Sequence, residues 1–239
     1  MWPRYWKDIY FVKATVIGTR KRMDVIGLGG IGKTYFTKHL AGHLGTVSPR
    51  KGNQDRTISS EWTQVFESVM RGVGRKFAST GLTWERKVDK LWHLGNVFEL
   101  EKKSLQSPPS SLVVNNESIL RHRLTWFVDT ASTQPDLIKN LLNDRLVLIC
   151  EAKDPVERSL RGRTNRGDAV DYGAKSQESL SKSVQKTRDS ASILNSLGVP
   201  TLVVSLDHPV RENVSRVAKF LEQNQVTSRR IRKWAKRSH

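Results

Sequence analysis

An α/β fold, with a parallel sheet of about five strands between helices on both faces, is the architecture this sequence predicts. Three observations point there. Short apolar runs alternate with helical patterns along most of the chain. One run, "RLVLICEA", is continuously apolar, as a central parallel strand should be. And "MDVIG" passes through a cluster of glycines straight into the helical pattern "KTYFTKHLAGHL".

Taken in order, residues 2–18 carry Trp6, Ile9, Tyr10, Val12, Lys13, Val16 and Ile17 and are expected to form an amphipathic helix, the core of a basic N-terminal segment (1–22). The main domain is expected over 23–225, with Phe36, Leu40 and Leu44 on one face of its first helix. "GTVSPRKGNQDRTISS" reads as a polar loop. "SSEWTQVFESVMRGVGRKF" follows as a helix with a cap-like start. "TWERKVDKLWHLGNVFELEKKSL" is a second helix, with Trp84, Val88, Leu91, Trp92 and Leu94 at helical spacing. Its tryptophans are expected in the core rather than as a base-stacking platform. After the connector "QSPPSS" come the strand "SLVVN" and the helices "ESILRHRLTWF" and "QPDLIKNLLND". Next are the strand "RLVLICEA" and the helix "DPVERSLRGR", with Pro155 in its first turn. A polar stretch then begins as a mobile loop and ends as a helix closed by Gly198. "PTLVVSL" is the last strand and "PVRENVSRVAKFLEQ" the last helix, ahead of a basic tail at 226–239.

The 239 residues carry a formal net charge of +18, a field that favours nucleotides, nucleic acid or other anionic surfaces. A single cysteine, Cys150, excludes an internal disulfide framework and fits a reducing compartment. No apolar run reaches the roughly 18 residues of a membrane span, so a cytoplasmic protein is expected.

The most specific feature is Gly27-x-x-x-x-Gly32-Lys33-Thr34, which fits the phosphate-cradling pattern G-x-x-x-x-G-K-[ST] without mismatch. Gly27, Gly29, Gly30 and Gly32 let phosphate oxygens approach backbone N–H groups, including those of Ile31, Lys33, Thr34 and Tyr35 at the start of the helix. Lys33 would reach the β- and γ-phosphates, and the Thr34 hydroxyl would join a Mg²⁺ shell. A dinucleotide fingerprint, Gly27-x-Gly29-x-x-Gly32, is open by pattern, but it needs no lysine after the last glycine. Two acidic partners for the metal compete, Glu117 after "VVNN" and Asp129 after "TWFV". Arg158, Arg161, Arg163 and Arg166, interleaved with Gly162, Gly167 and Gly173, suit a lid that clamps phosphates and excludes water.

The succession of the glycine loop, "VVNNESILRHRLTWF", "RLVLICEAKDPVERSLRGRTNRG" and "GVPTLVVSLDHPVRENVSRVAKFL" resembles the P-loop nucleoside/nucleotide kinase-like families, thymidylate-kinase-like proteins among them, over roughly residues 23–225. That resemblance implies a three-layer P-loop NTPase fold using ATP and Mg²⁺. It implies Glu117 as acid or base near the acceptor, Arg121 or Arg123 as a substrate contact, and Arg158, Arg161 or Arg163 as a lid arginine. Where many relatives show Asp-Glu-Gly or Asp-Arg, this chain has Asn116-Glu117-Ser118, which leaves the base and the acceptor open. The leading expectation is an ATP-dependent kinase acting on a small nucleoside-, nucleotide- or sugar-like acceptor. The alternatives are a nucleic-acid-binding P-loop NTPase or polynucleotide kinase using the tail "SRRIRKWAKRSH", a sulfotransferase-like enzyme, and a non-catalytic nucleotide-gated module.

Overall fold

The structure is a computed structural model that describes residues 9–47, 60–78, 81, 83–105, 111–116, 118–120, 127, 129–165 and 174–237. Its strands are β1 (Ile9–Lys13), β2 (Thr15–Val16), β3 (Arg22–Ile26), β4 (Thr46–Val47), β5 (Ser111–Asn115), β6 (Arg145–Glu151), β7 (Thr201–Ser205) and β8 (Val226–Thr227). Its helices are α1 (Lys33–Leu44), α2 (Ser60–Ala78), α3 (Trp84–Leu105), α4 (Pro135–Leu142), α5 (Pro155–Thr164), α6 (Ala174–Ser196), α7 (Val210–Gln223) and α8 (Arg229–Ala235). Among the described residues no helix is long and apolar enough to cross a membrane.

The main sheet has six strands in the order β4-β1-β5-β3-β6-β7. β5, β3, β6 and β7 pair in parallel, as the alternation of strand and helix requires. β1 departs from the expected all-parallel sheet, running antiparallel to both β5 and β4. Alternating side chains along the inner strands feed two apolar layers. Met23, Val25, Leu146 and Leu148 pack with Phe36, Leu40, Val217 and Leu221 of α1 and α7. On the other face, Ile26, Val147 and Ile149 meet Trp62, Leu94, Val97, Ile138 and Leu194 from α2, α3, α4 and α6. The α/β layering is therefore observed.

The helix expected over 2–18 is not found where that range is described, and residues 1–8, Trp6 among them, lie outside the described residues. Residues 9–16 are strands, and five residue pairs join β1 to β5. Helical spacing of apolar residues was outweighed by the β-favouring run "IYFV" and by an open edge on β5 that offered main-chain partners. The basic tail is likewise joined to the domain. Val226–Thr227 pairs with β2, and α8 buries Ile231 and Ala235. The tryptophans of α3 also differ from expectation. Leu94 is buried, but Trp84 and Trp92 are 73% and 57% exposed. The buried face of α3 runs through Leu94, Val97, Glu101 and Ser104, and at about 3.6 residues per turn Trp92 stands on the opposite side of the helix.

A buried ionic cluster ties α2 and α3 to the sheet at the N-terminal ends of β3 and β6. Arg22 binds Asp144 through two hydrogen bonds, at 2.6 and 2.8 Å, and reaches Glu101 at 2.5 Å. Arg145 binds Asp24 at 2.5 Å and also Glu101. Both guanidinium groups lie against the Trp62 ring, 5.5 and 5.1 Å from its centroid. Two cations face three carboxylates, and burial pushes the Asp24 carboxyl up despite the pull of Arg145. A raised folded-state value makes the ionised carboxylate a burden, because its contribution is lost as pH rises through that value. Glu101, shared by both arginines, should be far less replaceable. Chemical denaturation at neutral pH is expected to show Glu101→Gln losing about 3–5 kcal/mol of stability. Asp24→Asn, which can still accept from Arg145, should lose no more than about 1 kcal/mol.

Candidate functional site

The topology itself marks a crevice. From β3 the chain turns toward the β4 side of the sheet, whereas from β6 it turns toward β7. In an open α/β sheet, the carboxyl ends of two strands whose connections diverge in this way form the natural ligand cleft. The glycine stretch, residues 27–32, lies at the end of β3, and α5 begins beyond the end of β6.

The stretch is curled, not extended. Gly27, Gly30 and Gly32 adopt φ of 146°, 91° and 103°, values that side-chain-bearing residues rarely take. The Lys33 side chain folds back so that Nζ donates to the Leu28 carbonyl at 2.9 Å, closing the loop across its own mouth. Among the described residues, no backbone carbonyl accepts from the N–H groups of residues 28–32. These successive amides at the start of α1 are the composition of an anion nest.

Two neighbours hold the loop at contact distance. A Cβ on Gly27 would stand 2.5 Å from the Cys150 carbonyl at the end of β6. A Cβ on Gly30 would stand 2.5 Å from the Ser159 carbonyl, and one on Gly162 would overlap the Gly30 carbonyl. Ser159 Oγ adds a 2.5 Å hydrogen bond to the Gly29 carbonyl. The loop and α5 thus meet backbone to backbone, and this contact brings the arginines into range. The Arg158 and Arg163 guanidiniums lie 3.6 and 3.5 Å from the positions that side chains on Gly32 and Gly29 would take. Arg158 is anchored by Asp207 at 2.6 Å, and Asp207 also accepts from the Lys153 N–H. Arg161 points elsewhere, to Glu157 at 4.0 Å.

Thr34 is exposed in the first turn of α1, and its hydroxyl accepts from Asn116 Nδ2 at 2.9 Å, so the end of β5 joins the site. Beside the loop, a cavity of about 470 Å³ is lined by Tyr35, Phe36, Arg158, Arg161, Leu206 and His208, among others. Tyr35 is exposed there, its ring 4.3 Å from that of His39. The Cys150 thiol, which touches the same region, is pushed up to about 12 by burial, against a smaller pull from Lys33.

Of the residues expected at the site, the structure gathers Gly27, Gly29, Gly30, Ile31, Gly32, Lys33, Thr34, Tyr35, Arg158 and Arg163, with Arg161 at the cavity wall. Asp129 is exposed in a short helical stretch, and no hydrogen bond or ion pair links it to Thr34 among the described residues. Glu117, Arg121, Arg123, Arg166, Gly167 and Gly173 lie outside the described residues. The helix expected over "DPVERSLRGR" is α5, helical from Pro155 as far as Thr164, so Arg158, Arg161 and Arg163 of the expected lid lie on a helix. Sequence reasoning missed Asn116, Ser159 and Asp207. Only the position of Asp207 directly after a strand could have flagged it. Among the described residues, no three His, Cys, Asp or Glu side chains gather as a metal site. No protein-family model matches the chain, and no curated protein matches it.

Two outcomes test this geometry. Gly162→Ala should push α5 off the loop, costing about 1–3 kcal/mol in urea unfolding. The Cys150 thiol should resist iodoacetamide in the native protein at pH 8, where its thiolate fraction is about 10⁻⁴, and react on unfolding.

Proposed function

We propose that this chain is an ATP-binding phosphotransferase of the P-loop kinase-like type, passing the γ-phosphoryl group to a small acceptor. The observation that carries the reading is the curled loop of residues 27–33. Among the described residues, no backbone carbonyl accepts from the amides of residues 28–32, the loop's own lysine closes it, and two arginines of α5 stand over it. Glycines at the contact points match what a polyphosphate requires, because a Cβ there would occupy space that backbone or ligand needs. The residues present therefore fit a nucleoside triphosphate.

In this reading Mg-ATP supplies the transferable phosphoryl group and neutralises part of its charge. The loop amides hold the phosphate oxygens. Lys33 would exchange the Leu28 carbonyl for the β- and γ-phosphates, and its hydrogen bond to that carbonyl already holds the ammonium over the loop. Thr34 would offer its hydroxyl to the metal, and Asn116 Nδ2 donates to that same oxygen. Arg163 and Arg158 offset charge that builds in transfer. Arg158 does so from a fixed position, since Asp207 restrains it. The cavity beside Tyr35 and His208 is where the rest of the nucleotide would lie. The acceptor base, Glu117 by resemblance, remains part of the proposal, as does the acceptor class.

Lys33→Ala is expected to cut transfer from ATP by at least about 10³-fold, the scale of removing a preorganised electrostatic contact. Arg163→Ala should lower kcat more than it raises KM. Both are read by release of ADP over a panel of nucleoside, nucleotide and sugar acceptors with Mg²⁺. Full turnover by Lys33→Ala would refute the reading, and so would selective stabilisation of the protein by a phosphoadenosine sulfate donor over ATP.

A further inference from the structure

At the other end of α1 the molecule presents a second concavity, unrelated to the glycine loop. It has a volume of about 650 Å³ and is walled by Lys13 and Thr15, by the Gly45–Thr46 corner, and by Arg229, Arg230 and Arg232. None of the described residues lining it is acidic. α8 explains why the cations gather there. Ile231 and Ala235 are buried against α7 and α1, and Trp234 packs on the same core with its ring 4.9 Å from His43. With its apolar positions turned inward, α8 exposes Arg229, Arg230, Arg232, Lys233, Lys236 and Arg237 together. β2–β8 pairing fixes the helix against β1, so the cations belong to a folded surface and not to a loose arm.

From these observations we infer that this groove binds the phosphodiester backbone of single-stranded nucleic acid. Arginines dominate the wall, and a planar guanidinium can take a phosphate through two hydrogen bonds. The hydroxyls of Thr15, Thr46 and Thr227 add neutral donors of the kind that position a backbone without reading its sequence. The concave shape admits one strand. A membrane surface fits less well, because an interfacial helix turns its apolar face outward to the lipid. Here that face is consumed by the core, and Ile17 beside β2 is the one large aliphatic strongly exposed near the groove among the described residues. α1 has 12 residues, which separates groove and glycine loop by roughly 18 Å. The groove uses none of the residues around the glycine loop, so the inference stands apart from the kinase reading.

Fluorescence anisotropy of a labelled 20-nucleotide single strand with the full chain tests it. Four groove cations predict that log K falls against log salt with a slope of about −3. The double variant Arg229→Glu/Arg232→Glu alters exposed side chains and spares Arg230, whose stem packs over Gly45. It should bind at least about tenfold more weakly at 100 mM salt and halve the slope, with its thermal midpoint and ATP titration unchanged. Lys33→Ala should leave strand binding intact. No binding at low salt overturns the inference. So does binding that the double variant retains, loss of binding in Lys33→Ala, or phosphatidylserine vesicles binding through these arginines while the oligonucleotide does not.

Discussion

The site depends on one contact, the meeting of the glycine loop with α5 at main-chain distance. Gly30 and Gly162 face each other where neither can carry a side chain, and the Gly29 carbonyl is fastened by Ser159. Every cation over the loop inherits its position from that approach. Arg158 and Arg163 lie on the same short helix, and their reach is set by how far its backbone stands from the loop. Asp207 adds a second tie, linking the segment after β7 to Arg158 and to the Lys153 amide. Three strands, β3, β6 and β7, therefore converge on one small volume through backbone atoms and two short side chains.

The opposite pole of the sheet is organised by different physics. At the start of β3 and β6, Arg22 and Arg145 are enclosed with Asp24 and Glu101, half-buried Asp144 closes the outer side, and Trp62 covers both guanidiniums. Such a cluster adds little net stability over an apolar filling, but it penalises any arrangement that separates its members. Glu101 lies on α3 and Trp62 on α2, so the cluster specifies where these two helices sit on the sheet. One sheet thus keeps directional, enclosed charge at its amino ends and solvent-accessible positive charge at its carboxyl ends.

Much of this was legible in the residues because local chemistry and tertiary role agree there. The Gly27–Thr34 spacing located the loop, and the apolar run at 145–151 located the central strand beside it. Gly198, read as a helix closure, does adopt a positive φ of 77°. What escaped was whatever depended on a distant partner. Residues 9–16 became strands because β5 and β8 were available to pair, a fact that no window around Ile9 contains. Trp84 and Trp92 group with Leu94 by sequence, yet the face that α3 buries runs through Leu94, Val97 and Glu101 and leaves Trp92 on the opposite side. Arg22, Asp24 and Arg145 look like strand-end charges until Glu101, far along the chain, brings the carboxylate that both arginines share.

β1 lies inside the sheet, between β4 and β5, and it precedes both in the chain. A ribosome releases "IYFVK" long before β5, its five-pair partner, so the β5 side of this apolar ribbon stays open while α1, α2 and α3 are being made. β2 waits longer still, until β8 emerges near residue 226. Local segments can acquire helix early, but sheet closure is postponed to the end of translation, and unpaired strand edges are what drive chains into one another in the meantime. The antiparallel insertion therefore makes Ile9–Val12 part of the first strand of the main sheet to be synthesised, yet one that meets β5 only after α3 is complete.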